Sequence, residues 1–186
     1  MNTTWILTTL LILALFAWHL SYTAARLHRL HTRAEGALAA LDAYLIRRAE
    51  AATALANSGL LDPASSLILA SASAESTHSD YSLLTLDWAE GKLALRELTE
   101  TALTVALRET LPTSTPTNSN SPESDPIAHT IATHRRVQLA RQFYNNTVSD
   151  VRRLRHTPLV RIAHLAGHAT TPRPIEFDDD LTASPT

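Results

Sequence analysis

The sequence predicts an all-α protein, in which a single N-terminal transmembrane helix is followed by an antiparallel bundle of three to four long helices. Three observations support this class. The first 25 residues contain no Asp, Glu, Lys or Arg. Apolar residues recur every three or four positions through most of the remaining chain, and this is the period of one helix face. No stretch shows the sustained apolar–polar alternation that is typical of a strand.

The apolar segment, residues 1–25, is predicted to be a transmembrane signal-anchor. The part from Thr4 to Tyr22 is long enough to cross a hydrocarbon layer of roughly 30 Å at about 1.5 Å per helical residue. Its strongly apolar side chains favour insertion by about 3 to 5 kcal/mol in total. Trp5 stands at one end of the segment, and Trp18 stands with Tyr22 near the other end. Aromatic rings prefer the two membrane interfaces, so these three residues are expected there.

The flanking charges predict the orientation of the anchor. No Lys or Arg precedes the segment, whereas Arg26, Arg29 and Arg33 follow it. Cytoplasmic flanks carry the excess of basic residues. We therefore expect a single-pass protein of the cell membrane, with its N-terminus outside and its helical domain in the cytoplasm. A cleaved signal peptide, cut near Ala25, is the alternative. The lack of a basic residue before a long apolar run favours the anchor.

The composition excludes several classes of function. Cysteine is absent, which excludes disulfides and thiolate metal sites. The formal net charge is −2, which argues against a general nucleic-acid partner. Only four glycines are present, and no phosphate loop, dinucleotide fingerprint or nucleophile elbow can be recognised. No cofactor is expected.

Residues 26–111 are predicted to form the first helices of a cytoplasmic bundle. The first helix runs from Arg26 to about Ala56 and continues out of the membrane without a break. Gly59 is suited to a left-handed cap after it. Asp62 and Pro63 are typical of a helix start, so a second, short helix is expected to about Ala74. The apolar face of the first helix consists of Leu27, Leu30, Ala34, Leu38, Leu41, Leu45, Ala52 and Leu55.

A third, long helix is predicted to begin at Tyr81 and to end near Leu111. Its apolar residues are spaced by three and four, and this stripe is expected to face the core. The stripe consists of Tyr81, Leu84, Trp88, Gly91, Leu95, Leu98, Ala102 and Val105.

The remaining chain divides into three segments. Residues 112–126 are rich in Pro, Ser and Thr, and this composition predicts a flexible linker. Residues 127–168 are predicted to hold the last bundle helix and a short terminal helix that Gly167 ends. Residues 169–186 are expected to form an acidic, Pro-rich tail.

Two blocks of the sequence resemble the LemA family of bacterial membrane proteins. The first is LDAYLIRRAEAATAL, residues 41–55, and the second is ARQFYNNTVSD, residues 140–150. Gly167 and the later Ile175-Glu176-Phe177 are similar to the family's C-terminal pattern. The resemblance implies a helical bundle behind one membrane anchor, and it implies no catalytic residues. The matching residues are Asp42, Leu45, Arg47, Arg48, Ala49, Glu50, Ala140, Arg141, Tyr144, Asn145, Val148 and Gly167.

Two roles are open for the polar residues of these blocks. They are expected either to tie the first and last helices together, with Glu50 or Asp42 as the anion, or to form a patch that docks a partner. An Arg side chain can fork onto a carboxylate, and an Asn side chain can cross-link helix backbones.

The candidates for metal or hydrolase chemistry are weak. Glu75 and His78 form a single Glu-x-x-His, whereas di-iron bundles need two such pairs and further Glu residues. His164 and His168 have the four-residue spacing of a shared helix face, but no third ligand is evident. Gly91 and Glu97 match only a fragment of a hydrolase box.

A basic cluster ends the last long helix, formed by Arg152, Arg153, Arg155, His156 and Arg161. In an even-numbered up-and-down bundle that end returns to the bilayer. The cluster is expected either to face anionic lipid beside Arg26, Arg29 and Arg33, or to form a solvated face paired with the acidic tail.

The sequence as a whole favours a non-catalytic interaction or scaffold module of the LemA type, tethered to the lipid bilayer. Its protein partner is unknown, and self-association is one possibility. The alternative is a metal-dependent hydrolase built on a helical bundle, which would need convergent Asp, Glu or His side chains in the core.

Overall fold

A computed structural model describes residues 2–77, 83, 90–111, 125–162 and 171–182. The regular structure in these ranges is entirely helical, so the predicted all-α class is confirmed. The helices are α1 (Asn2–Ala56), α2 (Pro63–Thr77), α3 (Glu90–Thr110), α4 (Pro126–Arg155) and the short α5 (Pro158–Ile162).

Local signals fix the helix ends as the sequence predicts. Gly59 has a φ of 72°, a left-handed conformation that glycine adopts at no steric cost. The Asp62 carboxylate accepts hydrogen bonds from the backbone N–H groups of Ala64 (3.0 Å) and Ser65 (3.1 Å) at the start of α2. Asp125 caps α4 in the same way and accepts the Ile127 N–H at 2.9 Å. The Asp-Pro pair at 125–126 is therefore a helix start, although the linker was predicted to extend to residue 126.

The chain divides into two compact units. One unit comprises residues 1–36 and 145–174, and the other comprises residues 37–144 and 175–186. We call the first the anchor unit, because it carries the apolar segment, and the second the bundle unit.

The bundle unit alternates the directions of its helices. Ser76, near the end of α2, donates a hydrogen bond to Glu100 of α3, whereas Leu69, earlier in α2, shares a cluster with Leu103 and Leu107. The two helices are thus antiparallel. In α4, Thr130 lies 3.3 Å from the Ala51 carbonyl of α1 and His134 lies beside Arg48, so these helices are also antiparallel. The shared apolar core consists of Ala49, Ala52, Leu55, Ala56, Leu69, Leu103, Ala106, Leu107 and Ile127.

Helix α3 presents the opposite face to that predicted. Leu95 and Leu98 are 43% and 67% exposed, and Val105 is 41% exposed. The face that packs inward instead carries Leu93, Arg96, Glu100, Leu103, Thr104 and Leu107. Apolar periodicity selected the wrong stripe because α3 carries two. The inward stripe includes Glu100, the only carboxylate bonded to Arg48 among the described residues.

The start of the third helix also differs from the prediction. Leu83 lies in a buried turn rather than in a helix begun at Tyr81. Its backbone N–H donates to the Asp42 carboxylate at 2.9 Å, and a side chain that takes a backbone donor competes with the helix. Regular helix begins at Glu90. Tyr81 and residues 84–89, including Leu84 and Trp88, lie outside the described residues.

Residues 175–182 pack against the bundle unit without regular structure. Ile175 is 1% exposed and Phe177 is 8% exposed, so both side chains belong to the core. The Glu176 and Asp178 N–H groups donate to Glu97 (2.8 Å) and Thr101 (3.2 Å) of α3. We call this segment the C-terminal strap. It buries apolar side chains that the acidic composition of the tail did not suggest.

In the anchor unit, buried side chains lie in α1 after its apolar start, at the end of α4 and in α5. They are Thr23, Leu27, Ala34, Thr147, Val148, Val151 and Val160. The preceding apolar turns of α1 are exposed on every side. Trp5, Leu10 and Leu13 are 60% to 71% exposed, and no residue of the most apolar stretch is buried.

Candidate functional site

The main polar feature of the bundle unit is a buried ionic cluster formed by Arg48 of α1 with Arg96 and Glu100 of α3. Arg48 and Glu100 are completely buried, and Arg96 is 2% exposed. One carboxylate oxygen of Glu100 accepts from Arg48. The other lies 2.8 Å from Arg96 and 2.9 Å from the Ser76 hydroxyl. A single carboxylate therefore joins three helices.

The remaining donors of the two guanidinium groups reach neutral acceptors. Arg48 donates to the Thr104 hydroxyl at 3.1 Å and to the Glu100 carbonyl at 3.3 Å. Arg96 donates to the Ser76 carbonyl at 2.7 Å. The Nε groups of Arg48 and Arg96 are buried with no hydrogen-bond partner. Buried ion pairs tolerate little loss, because removal of one member leaves the other charged in a medium of low dielectric.

The cluster carries an excess of positive charge, since it holds two guanidinium groups and one carboxylate. The C-terminal strap places compensating groups nearby. The Phe177 ring lies between Arg48 and Arg141, with its centroid 5.6 Å and 5.3 Å from the two guanidinium carbons. The negative face of an aromatic ring attracts a cation at this range. The Asp179 carboxylate accepts from Arg141 at 2.8 Å.

His134 of α4 joins the cluster to the strap. Its Nδ1 lies 3.5 Å from an Arg48 nitrogen, and its Nε2 lies 3.0 Å from the Asp179 carbonyl. Guanidinium nitrogens only donate, so Nδ1 accepts and Nε2 carries the proton. Burial lowers the pKa of His134, and the positive charge of Arg48 also lowers this pKa, against the opposing Asp179 contact. The imidazole is thus a neutral bridge.

Two further residues, Arg108 and Gln138, hold the strap. Arg108 pairs with the Asp178 carboxylate at 2.6 Å and donates through Nε to the Asp180 carbonyl at 2.9 Å. Gln138 donates to the Asp179 carbonyl. The pKa of Asp178 lies below its usual value because the carboxylate accepts the Asp180 N–H and pairs with Arg108. The acidic tail therefore pairs with Arg108 and Arg141.

The structure separates the residues that match LemA into buried and exposed sets. Asp42, Leu45, Arg48, Tyr144 and Val148 are buried, whereas Arg47 and Glu50 are exposed and Asn145 is half-buried. The anion of the Arg48 pair is Glu100, and neither Glu50 nor Asp42 has this role. Asp42 instead holds the turn at Leu83. Gly167 lies outside the described residues.

The expected interface residues lie on the exposed surface of α1. Trp5, Trp18 and Tyr22 are 57% to 77% exposed. Arg26, Arg29 and Arg33 follow them and are also exposed.

The metal candidates do not converge in the described part of the chain. Glu75 is exposed at the end of α2, and its partner His78 lies outside the described residues, as do His164 and His168. Gly91 lies in the first turn of α3. No group of three or more His, Asp or Glu side chains is placed to hold a metal ion in the ranges that the structure describes.

Sequence reasoning missed five residues of the site: Arg96, Glu100, His134, Phe177 and Asp179. One signal was present, because Arg96, Glu100 and Thr104 repeat every four residues and thus share one face of α3. That face also carries Leu93, Leu103 and Leu107. A polar row inside an apolar face indicates a buried network. No comparable pattern marks His134, and in the strap only Ile175-Glu176-Phe177 resembled a family pattern.

A shallow groove runs between α1 and α4 on the surface of the bundle unit. It has a volume of about 270 Å³. Leu139 and Phe143 line it and are 66% and 47% exposed. Its other lining residues are Ala37, Ala40, Tyr44, Arg136 and Ala140.

No family model matches the sequence, and no significant match was found among curated proteins or solved structures. The chemistry of the site is therefore the basis for assigning a function. The ionic cluster is buried, and both oxygens of its carboxylate are paired with side chains that include residues of α1 and α2. This arrangement ties the helices together.

Proposed function

We propose that this protein is a single-pass membrane protein whose helical body serves as a non-catalytic interaction or scaffold module of the LemA type. In this proposal the N-terminus lies outside the cell and the bundle unit lies in the cytoplasm. The observation that carries the proposal is the exposed apolar start of α1. A run of this length with no charged residue and no protein cover needs another apolar environment.

The positive charges support the proposed direction of insertion. Arg26, Arg29 and Arg33 are exposed within three turns after the apolar segment, and no Lys or Arg precedes it. Basic residues are retained on the cytoplasmic side during insertion.

The burial of the ionic cluster supports a non-catalytic role. Arg48 and Glu100 are fully buried, so a substrate would meet them only after the helices separated. The exposed α1–α4 groove offers a surface of the kind that receives an amphipathic helix. Leu139 and Phe143, four residues apart on α4, would be its apolar contacts.

The anchor is tested with the full chain in cells. We expect the protein to stay with the membrane after alkaline carbonate extraction. A reporter fused after Thr186 should be active in the cytoplasm, and a reporter fused before Met1 should be active outside. Release by carbonate, or mature chains that begin near Arg26, would contradict the anchor.

The interaction role is tested by photo-crosslinking in intact membranes. A photoreactive residue at Phe143 should give a discrete crosslinked product, whereas one at Leu98, which is exposed on α3, should not. Stoichiometric Fe, Mn or Zn in the purified full chain would instead favour the metal-dependent hydrolase.

A further inference from the structure

Charge is divided unequally between the two units. By sequence, the anchor unit carries eight arginines against two acidic residues, Glu35 and Asp150, for a formal charge of +6. The bundle unit carries eight basic and sixteen acidic residues, for a formal charge of −8. The overall value of −2 thus hides a strong segregation.

The fold joins two separate basic runs in the anchor unit. Arg26, Arg29 and Arg33 lie on α1, and the second run lies on the last turn of α4 and on α5. Both runs belong to one compact unit. Burial is the main cause of the lowered pKa of His31, and the positive charge of Arg155 lowers this pKa further. This effect agrees with the placement of both runs in one compact unit.

We call four exposed arginines of the two runs the basic collar: Arg26, Arg29, Arg153 and Arg161. Arg33, in the first run, is exposed as well. Arg152, the half-buried neighbour of Arg153, donates to the Pro172 carbonyl at 3.3 Å, so the chain next to Arg153 is held by a contact within the unit.

The collar lies within electrostatic range of the membrane surface. In a continuous helix, Arg26 lies about 6 Å beyond Tyr22, and His31 lies about 14 Å beyond it. The headgroup layer is roughly 5 to 8 Å thick. Screening at physiological salt extends over about 8 Å more. A charge at either position therefore feels an anionic leaflet.

We propose that the basic collar binds the phosphate headgroups of anionic lipids in the leaflet that the anchor leaves. This inference rests on the proposed transmembrane anchor and adds a lipid preference to it. Arginine suits this role because its planar guanidinium can form two parallel hydrogen bonds to one phosphate.

The test is native mass spectrometry of the full chain, released from mixed micelles that contain equal amounts of phosphatidylglycerol and phosphatidylcholine. A single basic residue at an anionic surface changes binding by about fivefold. We expect the wild type to retain at least fivefold more phosphatidylglycerol than phosphatidylcholine. The preference should fall in 0.5 M NaCl, a concentration chosen as roughly three times physiological ionic strength.

Two matched variants distinguish the effect of the collar on lipid binding from the effect of net charge. The collar variant R26Q/R29Q/R153Q/R161Q should lose the preference. The control variant R47Q/K92Q/R135Q/R136Q removes four exposed positive charges from the bundle unit and should keep it. Far-ultraviolet circular dichroism verifies that both variants stay helical.

Three outcomes would overturn the proposal. The first is equal retention of both lipids by the wild type, and the second is a preference that survives in the folded collar variant. The third is displacement of the lipid by millimolar inorganic phosphate, which would assign the collar to a soluble anion. In each case, retention in the membrane after carbonate extraction would still leave the anchor itself supported.

Discussion

At the residue scale, the protein buries charged side chains out of contact with water. Arg48 is fully buried and burial lowers its pKa, while the Glu100 carboxylate opposes this shift. The Glu100 carboxylate also pairs with Arg96 and accepts a hydrogen bond from Ser76. Such pairs contribute little net stability relative to apolar residues, but they penalise any packing that separates them. The cluster therefore specifies which faces of α1 and α3 meet.

Replacing Glu100 with Gln should destabilise the fold strongly. The change keeps the shape of the side chain but leaves Arg48 and Arg96 buried without an anion. We expect the free energy of unfolding to fall by about 3 to 5 kcal/mol, as measured by urea titration of the full chain in detergent micelles. Replacing the exposed neighbour Arg47 with Ala should change it by less than about 0.5 kcal/mol. Equal changes in the free energy of unfolding for the two variants would contradict a structural role of the cluster.

We predict that the folded protein loses stability in mild acid because of His134. Its folded pKa is lowered from the usual 6.5, so the unfolded chain binds more protons in the interval below that value. The contribution of His134 is fully present above pH 6.5 and is lost as the pH falls towards the folded pKa. Thermal unfolding between pH 7.5 and 5 should show this decline, and His134→Gln should reduce it.

The exposed His129 supplies the control, since His129→Gln should leave the pH dependence unchanged. His31, whose pKa burial also lowers, should leave a residual slope in the His134 variant. An unaltered slope in that variant would contradict the neutral bridge.

At the element scale, the helices were easier to predict than their faces. The helix caps at Gly59 and Asp62 depend only on neighbouring residues, so they can be predicted from a single sequence. The face of α3 is a tertiary choice between two stripes, and apolar periodicity alone favoured the stripe with Leu95 and Leu98. In the structure the other stripe is buried, and its Glu100 pairs with Arg48 of α1. Information about a partner on α1 is absent from the periodicity of α3.

Two leucines on α3 test this assignment. Leu103 is fully buried and Leu98 is 67% exposed. Leu103→Ala should lower the free energy of unfolding by about 2 to 5 kcal/mol, whereas Leu98→Ala should change it by less than about 0.5 kcal/mol. The two variants have the same chemistry on the same helix, so denaturant titration compares burial alone. A larger effect at Leu98 would mean that its stripe, and not that of Leu103, faces the core.

The C-terminal strap was the element least visible in the sequence. Its three consecutive aspartates and the prolines that flank it, Pro172, Pro174 and Pro185, are typical of a solvated tail, and its apolar content is limited to Ile175, Phe177 and Leu181. Its order comes from long-range partners. Arg108, His134 and Arg141 all lie at least 38 residues away in sequence from the strap residues that they contact.

Phe177→Ala should loosen the strap and weaken the bundle. The substitution removes a buried ring and its contact with two guanidinium groups, and comparable truncations cost about 3 to 5 kcal/mol. Hydrogen exchange should show faster amide exchange at residues 175–182 and near Arg48. Glu176→Ala, at an exposed neighbour, should preserve the wild-type exchange pattern. The same amide exchange pattern in both variants would contradict the coupling between the strap and the cluster.

At the scale of the whole molecule, the class of fold followed from the sequence, and the site did not. The charge-free start, the helical period and the lack of strand-like alternation were sufficient to predict an all-helical chain. The site depends on which residues of five segments meet, and only the Arg96–Glu100–Thr104 row hinted at it. The resemblance to LemA selected Arg48, Arg141 and Tyr144 but left their partners open.

The segregated charge predicts how the proposed orientation can be changed. The rule for insertion counts basic residues within about 15 to 20 residues of a span. One variant combines Arg26→Gln, Arg29→Gln and Arg33→Gln with three lysines inserted after Asn2. It should move a C-terminal reporter from the cytoplasmic side to the outside of the membrane. Removal of Arg47, Arg135 and Arg136 should leave it unchanged, because these residues lie farther along the chain. Unaltered orientation in the first variant would contradict charge as the determinant.

The C-terminal strap has a consequence for biosynthesis. Translation produces the described helices α1 to α5 before it reaches Ile175, so a nascent chain carries Arg48 and Arg96 for a time without Phe177 and Asp179. The apolar start of α1 leaves the ribosome long before that moment. In the proposed membrane protein, insertion into the bilayer would therefore precede closure of the bundle, and chains that stop short of the strap would present an unfinished core to cellular proteases.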